Sequence, residues 1–255
     1  MRSKLFRVYW KLRSVITPAL EHSQSLYEDV LKSYVKPETQ WLDLGCGYHV
    51  LPLWREDEER KLVASCRTLV GMDYDLPSLQ NHRSISLKVR GRIDDLPFPD
   101  SSFDLVTANM VVEHLADPHE QFREISRILK PGGHFLFHTP NAAGYPTVMA
   151  KLTPEKLKHK LIYLLDGRKE EDVFETHYSA NTKQQIASLA QTTGFEVAKI
   201  RMIVSDAVFA LVPPIAIPEL IYIRLLMTKP LETWRTTIIA SLKKNGAAPV
   251  RIDGH

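Results

Sequence analysis

Between Trp41 and Asn141, short apolar runs recur at residues 41–44, 68–73, 86–90, 103–108 and 134–138, separated by stretches with helical spacing. That alternation is the pattern of parallel strands joined by crossover helices, and it restricts the chain more than any other feature. The apolar residues read as continuous rather than alternating, as strands covered on both faces require. Two later strands are expected at 195–203 and 236–244, the second closing the sheet. Asp117 reads as the N-cap and Pro118 as the first residue of a helix over 118–129, with Phe122, Ile125, Ile128 and Leu129 as its buried stripe and Pro131-Gly132-Gly133 as its stop. A second helix is expected at 182–192, opened by Asn181 and closed by Gly194, and the first crossover helix at 54–66. The expected class is α/β, with a mostly parallel seven-stranded sheet, helices on both faces and a helical cap.

At 255 residues the chain is long enough for one such domain with additions. Residues 1–36 read as an N-terminal helical cap, 37–204 as the core, 205–235 as an apolar helical insertion, and 236–255 as the last strand and tail. A balance of 33 basic and 30 acidic residues is too mild for nucleic acid as the main partner. The start is different: Arg2, Lys4, Arg7, Lys11 and Arg13 precede the first acid, Glu21, and alternate with apolar residues. No apolar run or small-residue cleavage site follows, so no secretory signal is expected. Two cysteines, Cys46 and Cys66, make no disulfide framework, and a cytoplasmic location is the expectation. The apolar stretch 203–227 is cut by Asp206, Pro213, Pro214, Pro218, Glu219 and Arg224, which argues against a membrane span. No paired metal-ligand spacing is visible.

In an open parallel sheet, ligands bind beyond the carboxyl ends of the strands. The polar exceptions fall there: Asp43 and Gly45-Cys46-Gly47 after the first strand, Asp73 and Tyr74 after the second, Arg92 to Asp95 after the third, Asn109 after the fourth, Asn141 after the fifth. Two glycines let backbone approach closely and offer N–H groups to an anion. An acid ending the second strand can accept both ribose hydroxyls, and Asp43 can take an ammonium. Val50 stands where a dinucleotide turn would carry its third glycine. A diol plus a zwitterion therefore describes the ligand better than a diphosphate does.

The ordered set WLDLGCG, VGMDYD, GRIDDLPFPDSSFDLVTANMVVEHLADP and LKPGGHFLFHTPN resembles the class I S-adenosylmethionine-dependent methyltransferases, in their small-molecule branch similar to the quinone-biosynthesis enzymes. The resemblance covers residues 40–143 closely and extends more loosely through HYSANT to 244. It implies a Rossmann-like fold, S-adenosylmethionine as cofactor with S-adenosylhomocysteine as product, and a small, hydrophobic or lipid-linked acceptor methylated at O or C. Cofactor contacts are implied at Asp43, Gly45, Cys46, Gly47, Asp73, Tyr74, Arg92, Ile93, Asp94 and Asn109. Arg92 stands where that family usually has an acid for the adenine amino group, so Asp94 or the Ile93 backbone has to serve there.

His114, just past the fourth strand, is placed to take a proton from an acceptor hydroxyl. His177 and Tyr178 are rival catalytic candidates, and Tyr27, Asn141, His114, His177 and Tyr178 form the substrate-side set. Each also has a structural reading, as a loop brace or a core residue. The alternatives are a non-catalytic binding module of the same fold and, further off, an NAD-dependent oxidoreductase. A basic amphipathic start and an apolar, proline-broken cap would also suit peripheral contact with an anionic membrane.

Overall fold

The computed structural model describes residues 2–154 and 175–246. The chain divides into two compact units. The larger holds Tyr27–Thr139, His177–Ile200 and Ile239–His255, and the smaller holds Met1–Leu26, Pro140–Thr176 and Arg201–Ile238.

Seven strands form one sheet: β1 (Gln40–Leu44), β2 (Thr68–Asp73), β3 (Leu87–Arg90), β4 (Phe103–Asn109), β5 (Leu129–Pro140), β6 (Phe195–Ile203) and β7 (Thr237–Lys244). Their spatial order is β3-β2-β1-β4-β5-β7-β6. Pairing is parallel from β3 through β5. β7 runs against its neighbours: Asn141 N donates to Thr236 O at one end, while Lys244 Nζ reaches Leu129 O at the other. Across its second edge Thr237 Oγ1 meets Ile203 O, and Asn245 N meets Gly194 O. The sheet is therefore mixed, parallel over most of its width with one reversed strand.

Central strands carry the apolar continuity that burial on both faces demands. Trp41, Leu42 and Leu44 in β1, Leu105 and Val106 in β4, and Phe135, Leu136 and Phe137 in β5 are all buried. β3 departs from that reading. Leu87-Lys88-Val89-Arg90 alternates and has no buried residue, because β3 forms the sheet edge.

The described helices of the larger unit include α3 (Glu56–Ala64), α4 (Leu76–Gln80), α5 (Pro118–Ile128) and, counted in chain order, α7 (Lys183–Thr192). α2 (Ser23–Tyr34) enters that unit at Tyr27. The first crossover helix is shorter than 54–66: a single 3-10 turn at Leu53–Arg55 precedes α3. α5 starts as its sequence predicts, with Asp117 Oδ1 accepting from Glu120 N at 3.1 Å and Pro118 in the first turn. Its Phe122 packs edge-on against Phe135, Phe137 and Phe195.

The helix ends at Ile128, before Pro131-Gly132-Gly133, because Leu129 already has extended backbone and opens β5. The Pro-Gly-Gly triplet thus lies inside a strand, where the β4–β5 register shifts. A Cβ on Gly133 would lie 2.9 Å from Lys130 O and 3.1 Å from Asp104 O, so the strand needs glycine for close backbone approach. At α7 the cap is Thr182, whose Oγ1 accepts from Gln185 N at 3.2 Å. Asn181, the expected cap, is fully buried instead and donates to Thr139 Oγ1 at 2.7 Å.

In the smaller unit, α1 (Arg2–Ile16) and α8 (Pro213–Leu226) share an apolar cluster of Tyr9, Leu20, Val204, Ala216, Leu220, Ile223 and Leu226. α6 (Tyr145–Leu152) adds Tyr145 to it. Tyr145 Oη donates to Glu219 Oε1 at 2.6 Å, and the Glu219 carboxylate also accepts from Val208 N and Phe209 N. No helix among the described residues is long and apolar enough to cross a membrane.

Candidate active site

The turn after β1 is built by conformation. Gly45 and Gly47 have φ of +64° and +55°, a region that side chains other than glycine avoid. Gly45 N and Cys46 N both donate to Met72 O, and Gly47 N donates to Asp73 Oδ2 at 2.9 Å. This corrects one expectation: the turn's N–H groups are bonded within the protein rather than offered to an anion. The glycines supply the turn geometry and the space. A Cβ on Gly47 would meet nothing within 4 Å, whereas one on Gly45 would fall 2.4 Å from Val111 Cγ2.

A cavity of about 230 Å³ opens beside this turn, lined by Tyr27, Leu31, Asp43, Gly45, Cys46, Gly47, Tyr48, His49, Val50 and Asn109. Asp43 supplies its buried carboxylate. Thr107 Oγ1 donates to Asp43 Oδ1 at 2.5 Å and accepts from Trp41 Nε1 at 2.7 Å, fixing the carboxylate from behind. Burial pushes Asp43 up to about 7; the Thr107 hydrogen bond opposes this, and the charges of Asp73 and Glu59 add to it. Such a carboxylate gains strongly from a cation placed in the cavity.

Burial, with the Asp43 charge beside it, likewise holds the Tyr27 hydroxyl well above the usual phenol range. The Tyr27 ring stacks on His138 with centroids 5.6 Å apart, and His138 Nδ1 lies 3.1 Å from Asn109 Oδ1. Burial raises the Cys46 thiol above its ordinary value, which leaves it a packing residue rather than a nucleophile.

Asp73, at the end of β2, does not itself line the cavity but is bonded to Gly47, which does. Its Oδ1 accepts from Asp75 N and its Oδ2 from Gly47 N, both at 2.9 Å. Each oxygen keeps a second lone pair for a further donor, so two adjacent hydroxyls can be received at once. Tyr74 is exposed, with the Arg90 guanidinium 5.5 Å from its ring centre. Arg92 closes on Asp94 through Nε and Nη2, at 2.9–3.2 Å, on the exposed side of the loop where Ile93 is half-buried. Like Asp73, the residues Tyr74, Arg92, Ile93 and Asp94 do not line the cavity.

The acceptor-side candidates fall into two groups. Glu113 O accepts from both His177 N (2.8 Å) and Tyr178 N (3.2 Å), which draws that pair to the 3-10 turn Val112–His114 carrying His114. Tyr178 has φ +53° there. Beneath the turn, Thr139 Oγ1 donates to Glu113 Oε2 at 2.9 Å and accepts from Asn181 Nδ2 at 2.7 Å. Burial raises the Glu113 carboxyl above its ordinary range. Asn141 belongs elsewhere. It is buried in the smaller unit, Nδ2 donates to Thr233 O and Arg235 O, and Oδ1 accepts from Ala143 N. With every polar atom of its amide bonded to backbone, Asn141 braces a loop and is withdrawn as a substrate contact.

Thr107, Glu113 and Thr139 were not singled out from sequence. Thr107, a hydroxyl inside the apolar run of β4, was the one detectable signal.

The sequence pattern of the family described as "Methyltransferase domain" matches residues 19–200. The chain belongs to that family. It is a class I S-adenosylmethionine-dependent methyltransferase domain, with S-adenosylmethionine as its cofactor. The residues present fit that group: a buried carboxylate for an ammonium, a fixed carboxylate with free lone pairs for a diol, and a glycine turn open to the cavity. A probable S-adenosylmethionine-dependent methyltransferase of Mycolicibacterium smegmatis is 36% identical over 104 residues, 39% of this chain and 37% of that protein. A demethylmenaquinone methyltransferase of Symbiobacterium thermophilum is 32% identical over 119 residues, 43% of this chain and 45% of that protein. The chain spans between a third and a half of the length of the curated relatives it matches first. The crystal structure of an S-adenosylmethionine-dependent methyltransferase from Mesorhizobium loti superposes with a TM-score of 0.54 at 19% identity, covering 86% of this chain and 98% of that one. That likeness shows the shared fold.

Proposed function

We propose that the protein transfers a methyl group from S-adenosylmethionine to an O or C atom of a small, hydrophobic or lipid-linked acceptor. The single observation that carries the reading is the buried Asp43 carboxylate facing a cavity at the carboxyl edge of the sheet, with Asp73 bonded to Gly47 of the turn that lines it. The Asp43 carboxylate, with the Asp73 charge acting on it, makes the crevice a site for a cation. The relatives named demethylmenaquinone methyltransferases support the acceptor class.

Bound S-adenosylmethionine supplies a methyl group already activated on sulfur, so the protein's share is alignment and exclusion of water, worth up to about 7–11 kcal/mol. Asp43 holds the ammonium end and Asp73 the ribose diol. Asn109, steadied by His138, lines the cavity. His114, with His177 and Tyr178 tied beside it through Glu113 O, is the group assigned to take a proton from an acceptor hydroxyl. Ile93 backbone and Asp94 are assigned to adenine, with Arg92 screening Asp94.

Isotope-labelled S-adenosylmethionine incubated with lipid and metabolite extracts tests the reading. Labelled product extractable into organic solvent is the expected result; cofactor binding without any transfer would replace it with the binding module.

Two substitutions separate the roles. Asp73→Ala is expected to weaken cofactor affinity by about 1.5–3 kcal/mol through loss of charge-assisted hydrogen bonds. Calorimetry showing an unchanged Kd would remove the diol assignment. His114→Ala is expected to lower kcat roughly a hundredfold, within the range of general base catalysis, with cofactor Kd unchanged. Wild-type turnover would return His114 to a brace of its loop.

A further inference from the structure

α8 is apolar on both sides. Ala216, Leu220, Ile223 and Leu226 face the core of the smaller unit, while Ile217, Ile221 and Leu225, spaced four residues apart, face solvent. Ile221 and Leu225 are each 51% exposed. A helix apolar all round is normally enclosed, and a solvent-facing stripe of this kind marks a contact surface.

Its borders are settled by contacts within the same unit. On one side Arg224 Nη1 donates to Ile16 O at the end of α1. On the other, Tyr222 meets the Tyr145 ring of α6 at 5.5 Å, and α6 continues the patch with exposed Val148, Met149 and Leu152. α1 carries five basic residues and no acid, and shows Lys4, Arg7 and Lys11 to solvent beside half-exposed Phe6 and Trp10. The one acid of α8, Glu219, is buried and bonded to Tyr145, Val208 and Phe209.

We propose that this face, the outer stripe of α8 bordered by α1 and α6, docks on an anionic lipid bilayer. Charge decides between the occupants such a face could take. A second copy of the chain would bring the same cations against these, whereas anionic headgroups complement them. Each basic side chain near such a surface strengthens binding roughly fivefold, and exposed Trp10 and Tyr222 suit the headgroup level. α8 has 14 residues, about 21 Å at 1.5 Å per residue, too short for a hydrocarbon core of about 30 Å, so it would lie in the interface plane. The proposal is independent of methyl transfer, since it concerns a surface and not the cavity.

Flotation of the full chain with phosphatidylcholine vesicles, with and without phosphatidylglycerol, tests it at low and high salt. The protein is expected to float with the anionic vesicles at low salt and to be released as salt rises. Ile221→Glu with Leu225→Glu should reduce the floated fraction at least about tenfold, and Lys4→Glu, Arg7→Glu and Lys11→Glu together should do the same. All these residues are solvent-exposed, and unchanged melting and cofactor binding would verify folding. Failure of the unaltered chain to float at low salt, or full flotation of the Ile221/Leu225 variant, would overturn the proposal. So would sedimentation showing a dimer that the same variant dissociates.

Discussion

Asp43→Asn is expected to yield a protein that is more stable at pH 8 and nearly unable to hold its cofactor. The folded carboxyl is pushed up to about 7 from an ordinary 3.8, chiefly by burial. Between those two values the unfolded chain has released the proton while the folded chain still holds it. Raising pH therefore favours unfolding, by up to about 1.4 kcal/mol per pH unit across that window. Stability from the neutral acid is complete below pH 4 and gone above pH 7. Asparagine keeps an oxygen for the Thr107 hydroxyl and never ionises.

At pH 8 the variant should gain about 2–4 kcal/mol, or roughly 5–10 °C in Tm, shrinking toward zero at pH 4. Cofactor affinity should fall a hundredfold or more, because a buried ammonium loses its counter-charge. In the unaltered protein, affinity should rise as pH approaches 7 and then level off. Calorimetry and thermal melts at several pH values check both halves; equal melting at pH 8, or a retained Kd, would contradict the assignment.

Gly45→Ala is expected to be the most damaging single methyl in the larger unit. At φ +64° a side chain adds backbone strain of about 1–2 kcal/mol. The new Cβ would also stand 2.4 Å from Val111 Cγ2, and relieving that overlap moves the turn that lines the cavity. A total loss of about 3 kcal/mol, with cofactor binding abolished, is the expectation. Adding Val111→Ala should return the steric part and leave the conformational part, a coupling that a double-mutant cycle reads directly. Gly47→Ala should show the conformational cost alone, since nothing lies within 4 Å of its Cβ position.

What was legible in the sequence is what depends on neighbours along the chain. β2 at 68–73 and β6 at 195–203 show their bounds through apolar runs closed by polar or turn residues, and α5 through the Asp117-Pro118 start. Asp43, Gly45, Cys46, Gly47, Asn109 and Tyr27 were nameable, and all line one cavity. What was hidden depends on partners far away. Thr107 is recognisable as the prop of Asp43 only once β4 lies against β1, 64 residues apart. The bonds joining Glu113, Thr139 and Asn181 span 26 and 42 residues and follow no period. Asn141 misled because a strand-end amide looks alike whether it faces a ligand or holds a loop. Pro131-Gly132-Gly133 misled because the residues that end a helix are also those that let two backbones approach.

The reversed strand β7 sets an order on how the molecule can be completed. It lies between β5 and β6, so β6 has no edge to join until residue 244 has been made. While the chain is still emerging from the ribosome, β5 presents one long unpaired border and β6 has nowhere to dock. The first five strands can assemble early as a parallel block; the other two must wait and then zip in together. Loss of β7 would therefore strand β6 as well, and removal of residues 237–244 should behave like the loss of two of the seven strands rather than of one.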